Sequence, residues 1–154
     1  MTIGRPATLA GLLALALSGA AAADSAAAAN DDAGRDAYLQ HCAACHLDAG
    51  QGVPSAFPPL DERLGRWAGS EEGRDYLVSV VSNGLFGPIT VNGTAYAGAM
   101  PQMRHIDTDQ LAMILTYVIS AFGGANDVPF SADEVTVRRE GLGAVQSRSL
   151  RPAD

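Results

Sequence analysis

The chain has 154 residues, with seventeen acidic side chains against ten basic ones and two cysteines. That length allows one ordinary domain and little more. An acidic chain whose ten basic residues are all arginine is a poor partner for nucleic acid or an anionic membrane surface, and proteins that dock on it are expected to offer basic or apolar surface.

Met1 to Arg5 bears one positive charge, residues 7–17 (ATLAGLLALAL) are apolar, and residues 18–23 (SGAAAA) are small, with Ala21 and Ala23 spaced for signal peptidase. This order predicts a secretory signal peptide over 1–23, since the apolar run is too short to span a bilayer. An uncleaved anchor or an ordinary buried helix is the alternative. Residues 24–31 read as an Ala-rich linker without apolar periodicity. A folded domain is expected over 32–140, about 110 residues and large enough to bury its own core. The export signal places it in the periplasm, with no stable membrane insertion once the leader is removed.

Asp31 or Asp32 caps a first helix predicted over about 33–46, with Tyr38, Cys42 and Cys45 on one face. Residues 47–66 are rich in Gly and Pro and read as loop. Ser70, with Glu71 and Glu72, opens a second helix over about 70–82, stopped by Asn83-Gly84. Asn92-Gly93, between Ile89-Thr90-Val91 and Thr94-Ala95-Tyr96, is a strong hairpin signal. Asp107 and Gln110 open a third long helix over about 108–122, with Leu111, Ile114, Leu115, Val118 and Phe122 as its buried stripe and Gly123-Gly124 as its stop. Ser131 and Glu134 form a capping box for a short helix over about 132–139. The tail, 141–154, reads as flexible. The fold class is all-α, three to four main helices with one small hairpin near 89–96.

The chemistry is concentrated in residues 41–50, HCAACHLDAG. An exported Cys42–Cys45 pair admits four readings: a disulfide, a thioredoxin-like redox pair, half of a zinc site, or covalent haem attachment. A redox pair is expected at the end of a strand in a βαβ pattern, and none precedes it. Zinc needs four ligands, and beyond His41 and His105 no second Cys/His pair with finger-like spacing exists. The pattern C-x-x-C-H reads as c-type haem attachment: two thiols add to the haem vinyl groups, and His46 is placed to ligate the iron. A single such motif implies one haem c, bound covalently through Cys42 and Cys45. The sixth ligand is expected to be Met100, in the Gly/Pro-bounded loop AYAGAMPQM, with Met103 and then His105 as alternatives. Met113 falls within a helix stripe and reads as core. Trp67 and Tyr96 are candidate donors to haem propionates, or amphipathic rings that simply pack. Arg104 reads as a solvated loop arginine with a propionate as the alternative partner, His41 as an exposed histidine, and Glu71, Glu72 and Asp75 as a solvated helix face.

Residues 31–140 resemble a class I cytochrome c. CAACH near the start and Met100-Pro101 before the last long helix are that family's two signatures in its order. The resemblance implies that Gly34 and Tyr38 on the first helix cross Ile114 and Tyr117 on the last. It implies that a carbonyl in the FPPL stretch of 57–60, that of Pro58 or else Pro59, accepts the His46 ring N–H. The hairpin just before the methionine resembles a bacterial subgroup of free periplasmic carriers and of cytochrome domains attached to dehydrogenases, copper nitrite reductases and terminal oxidases. The absence of lysine departs from the mitochondrial-type pattern of docking through a lysine ring. The expected function is single-electron transport between a redox donor and acceptor protein by Fe(III)/Fe(II) cycling, by a monomer. A dedicated cytochrome subunit of a larger redox complex is the alternative. A haem enzyme with an open iron site is disfavoured by Met100 in its loop and by the lack of a distal acid–base pair, His105 being the only distal histidine candidate.

Overall fold

The computed structural model describes Met1, residues 18–143 and residues 145–153. The expected leader falls largely on 2–17, outside the described residues. Helix α1 runs from Ser18 to His41 and is followed by a single turn, α2, Ala43–His46. Then come α3 (Glu62–Ala68), α4 (Glu71–Asn83), strands β1 (Ile89–Val91) and β2 (Thr94–Tyr96), α5 (Thr108–Ala121), α6 (Ala132–Leu142) and the short α7 (Ser147–Leu150). The architecture is all-α with one hairpin, as the sequence predicts.

Three caps stand where the sequence puts them. The side chains of Ser70, Asp107 and Ser131 accept from the backbone N–H groups of Gly73, Gln110 and Glu134, each satisfying an orphan donor of the first turn. The hairpin registers Ile89 on Tyr96 and Val91 on Thr94. Asn92 and Gly93 both take positive φ, 49° and 76°, which is what a two-residue turn between twisted strands requires.

Four boundaries differ from expectation. Helix α1 already covers Ser18 among the described residues, so the stretch read as a linker is helical; alanine lacks a periodic signature but is the best intrinsic helix former. The helix expected to run through to residue 46 is interrupted at Cys42 (φ −119°) and resumes for one turn, although the Cys42 N–H still bonds to the Tyr38 carbonyl and the His46 N–H to that of Cys42. Helix α3 lies in part inside the predicted loop: Asp61 caps it, and Leu64 and Trp67 are buried. The tail read as flexible is docked. Ser147 is 2% exposed and meets the Ser79 hydroxyl at 3.0 Å, while the Asn83 amide donates to the Val145 carbonyl at 3.0 Å. Its anchors are backbone carbonyls and a hydroxyl pair, which leave no local pattern in the sequence.

The core centres on the α1–α5 crossing, the most extensive helix contact. Gly34 sits on α5 there: a Cβ at this position would lie 2.6 Å from the Met113 carbonyl oxygen and 3.0 Å from the Tyr117 Cβ. Tyr38, wholly buried, meets Tyr117 and Phe122 with ring centroids 5.7 and 5.2 Å away, and its hydroxyl donates to the Leu47 carbonyl. The crossing implied by the resemblance is therefore present at Gly34, Tyr38 and Tyr117, and Ile114 is buried beside it.

A second bracket joins α4 to α6. Glu134 accepts from Arg74 (2.5 Å) and Arg138 (2.8 Å), and Arg138 also pairs with Glu71 and Asp75. Arg74 further lies over the Phe130 ring, 3.8 Å from its centroid. Hydrogen bonds from Arg74, then from Arg138, hold the Glu134 carboxyl below the usual range against burial pulling the other way. A carboxyl depressed in the folded state adds stability that is complete above its unfolded pKa, about 4.3, and is lost as pH falls through the folded value. Glu134→Gln is expected to cost about 1–2 kcal/mol at pH 7. The gap to wild type should narrow as pH falls below about 4; thermal melts at pH 7 and pH 3.5 compare the two.

Candidate functional site

Cys42, Cys45, His46, Pro58, Trp67, Tyr96 and Met100 all border one open-mouthed cavity. Its walls are mostly aliphatic, with Leu64, Leu77, Val81, Leu85, Val91 and Val118 among them. These seven sequence candidates are thus brought together from four different segments, whereas His105 and Arg104 are not among the lining residues.

His46 ends α2, and its Nδ1 lies 3.0 Å from the Pro58 carbonyl oxygen. A carbonyl only accepts, so Nδ1 carries the proton and Nε2 keeps its lone pair. Burial lowers the His46 pKa and the Pro58 bond only partly offsets this, so the ring is neutral at physiological pH. The carbonyl is aimed by a tight loop. Val53 and Phe57 form a bridge, and Gly52 (φ 63°) bonds its N–H to the His46 carbonyl at 2.9 Å. A Cβ on Gly52 would lie 2.8 Å from the Pro58 oxygen, so only glycine fits under it. Of the two prolines considered, it is Pro58 that meets the ring; the Pro59 carbonyl accepts from Arg63.

Both thiols are free. Burial, and then the neighbouring Cys45, push the Cys42 pKa up to about 11. A redox pair needs the opposite shift, toward thiolate, so the geometry speaks against thioredoxin-like chemistry. Among the described residues no group of three or more His, Cys, Asp and Glu side chains gathers as a metal site, which removes support for the zinc reading.

Met100 is fixed by its backbone. Its N–H and carbonyl exchange hydrogen bonds with Leu85, each 2.9 Å long. This bridge requires Gly84 at φ 76°, where a Cβ would come within 2.5 Å of the Met100 oxygen. Met103 also borders the cavity, tied by its N–H to the Val81 carbonyl. His105 is exposed and outside the lining; its ring packs against His41, centroids 5.8 Å apart. His41 is half-buried and borders the cavity rather than standing free in solvent. Arg104 is turned away, donating to the Asn83 side chain and the Gly143 carbonyl.

The family model described as "Cytochrome C oxidase, cbb3-type, subunit III" matches residues 29–118, more than half of the chain. The chain belongs to the class I cytochrome c family. It is 40% identical over 106 residues to cytochrome c-552 of Thermus thermophilus, covering 66% of this chain and 80% of that protein. It is 31% identical over 108 residues to the cytochrome c subunit of the quinone alcohol dehydrogenase of Gluconacetobacter polyoxogenes, but this covers only 22% of that subunit. The corresponding subunit of Gluconobacter oxydans is 30% identical over 105 residues. As a cytochrome c, the protein is an electron-transfer protein rather than an enzyme, and its cofactor is haem c with its iron. Among the described residues no helix is long and apolar enough to cross a membrane.

The residues at hand fit that cofactor: two free thiols, one neutral imidazole with a fixed ring, thioethers and aliphatic walls border the same space. Two cavity arginines went unnoticed in the sequence. Arg63, only 4% exposed, follows the Asp61 cap, a signal that a helix starts there but not that its arginine faces a cofactor. Arg151 belongs to the tail and carries no local signal at all.

Proposed function

We propose that this cytochrome c is a periplasmic monohaem electron carrier in which Cys42 and Cys45 would hold one haem covalently and His46 and Met100 would ligate its iron. The observation that carries the reading is the shared cavity: an imidazole oriented by Pro58 and a methionine pinned by Leu85 border the same space as the two thiols. When bound, the haem supplies one Fe(III)/Fe(II) couple. The Pro58 carbonyl fixes the His46 ring and strengthens it as a donor. The Met100 thioether is soft, neutral and without a proton, so it favours ferrous iron without titrating. The aliphatic walls exclude water, which disfavours the extra charge of the ferric state. Phe86, next to the Met100-bridged Leu85, is 63% exposed and offers apolar surface near the cavity to a redox partner.

Similarity to the dehydrogenase cytochrome subunits supports a second reading, a permanent subunit of a redox complex. The match covers about a fifth of those subunits and most of cytochrome c-552, so the free carrier is favoured.

The test is periplasmic expression with visible spectra of both oxidation states. A low-spin c-type spectrum, with haem retained on a denaturing gel, is expected for wild type. Cys42→Ala with Cys45→Ala should leave no gel-stable haem. A wild type without covalent haem would overturn the proposal, and a high-spin wild type that binds carbon monoxide would replace the carrier reading by a gas-binding or enzymatic one. Purification of the native protein in fixed stoichiometry with a dehydrogenase would favour the subunit reading.

A further inference from the structure

Residues 145–153 lie beyond the span matched by the family model, and electron transfer as described assigns them nothing. They are nevertheless led back to the cavity. The Trp67 indole N–H donates to the Ala153 carbonyl at 3.2 Å. Arg151 donates from Nη2 to the Thr90 carbonyl on β1 at 3.1 Å. Its guanidinium carbon lies over the Trp67 ring, 5.4 Å from the centroid, and that of Arg63 lies over the same ring at 5.5 Å. Arg63, Trp67 and Arg151 all border the cavity.

The chemistry of this edge is unlike the rest of the wall. A haem carries two carboxylates on an otherwise apolar macrocycle, and carboxylates in an apolar site require cations or donors. The indole N–H of Trp67, one candidate donor, is already given to the tail. Arg63 is clasped by Asp61, Nε to Oδ1 at 2.7 Å and Nη2 to Oδ2 at 3.0 Å. Burial alone would raise the Asp61 pKa, but the bonds from Arg63 prevail and keep it low, so the clasp is ionised. Arg151 brings its charge from outside the domain core.

We propose that the C-terminal segment is a strap that delivers Arg151 to the carboxylate-bearing edge of the haem, where this tail-borne cation raises the reduction potential. The proposal rests on the haem reading above. A positive charge beside the cofactor favours the ferrous state, which has one positive charge fewer.

The experiment is a mediator titration of the full-length holoprotein at pH 7 and low salt, for wild type, Arg151→Gln and Arg151→Lys. Amide hydrogen exchange over 145–153 is followed in parallel. Arg151→Gln is expected to shift the Fe(III)/Fe(II) ratio at fixed solution potential toward Fe(III) by about three- to tenfold, or about 30–60 mV. Arg151→Lys, which keeps the charge, should restore most of the shift, and wild-type 145–153 should be protected from exchange. An unchanged midpoint in Arg151→Gln overturns the proposal. So does an equal shift in both variants, which would make the effect one of packing, and so does unprotected exchange of 145–153 in wild type. A wild type lacking covalent haem would fail at the earlier step and identify the haem reading, not the strap, as the error.

Discussion

Met100→Ala is expected to retain gel-stable haem, to lose the weak red band of sulfur-to-iron ligation, and to lower the midpoint potential by roughly a few hundred millivolts, within the span of about 0.8 V over which axial ligands act. The backbone geometry makes this a clean substitution. The Met100 N–H and carbonyl are held by Leu85, and Gly84 allows the close approach, so alanine preserves the bridge while removing the thioether. Met103 provides the control, since it borders the same cavity from a separate attachment on Val81. Met103→Ala should keep both band and potential. The reverse pattern, with the band lost only in Met103→Ala, would move the ligand assignment to Met103.

The largest stability effect is expected at Gly34. In an exposed helix, Gly→Ala gains up to about 1 kcal/mol from propensity. At Gly34 the sign inverts, because the added Cβ would lie 2.6 Å from the Met113 carbonyl oxygen, and a backbone atom of α5 has nowhere to retreat. Gly34→Val adds two methyl groups at the same point and should cost about 3 kcal/mol or more, lowering Tm by about 10 °C in a domain of this size. Gly141 on α6 is the matched control, with nothing within 4 Å of its would-be Cβ, and Gly141→Ala should be neutral or stabilising. Chemical denaturation of the three holoproteins compares them directly. Equal stability of Gly34→Val and wild type would mean that α1 and α5 do not cross as described.

Much of this molecule was legible because its signals are local. CAACH is contiguous, Asn92-Gly93 needs only its own two dihedral angles, and Ser70, Asp107 and Ser131 each cap the turn that follows. The helix-crossing glycine and the Pro58 carbonyl were reached through the family resemblance, and the distances to Tyr117 and His46 agree with it. What escaped has no local signature. Helix α3 has seven residues and follows a Pro-rich run whose turn signals dominate the reading. Helicity in 24–31 comes from alanine propensity without an apolar stripe. The tail is fastened by Trp67, Asn83, Ser79 and Thr90, residues that gave no indication of a distant partner. Trp67 shows the limit well: its size and burial were foreseeable, but the acceptor of its N–H was not.

That bond also orders events in time. Trp67 and Ala153 are 86 positions apart, so their hydrogen bond cannot form until residue 153 has been made and delivered. A chain emerging N-terminus first presents Cys42, Cys45 and His46 early, long before its last residues follow. During that interval the wall bordered by Trp67 lacks Arg151. The wall bordered by Trp67 is thus complete only once segments far apart in the chain have come together.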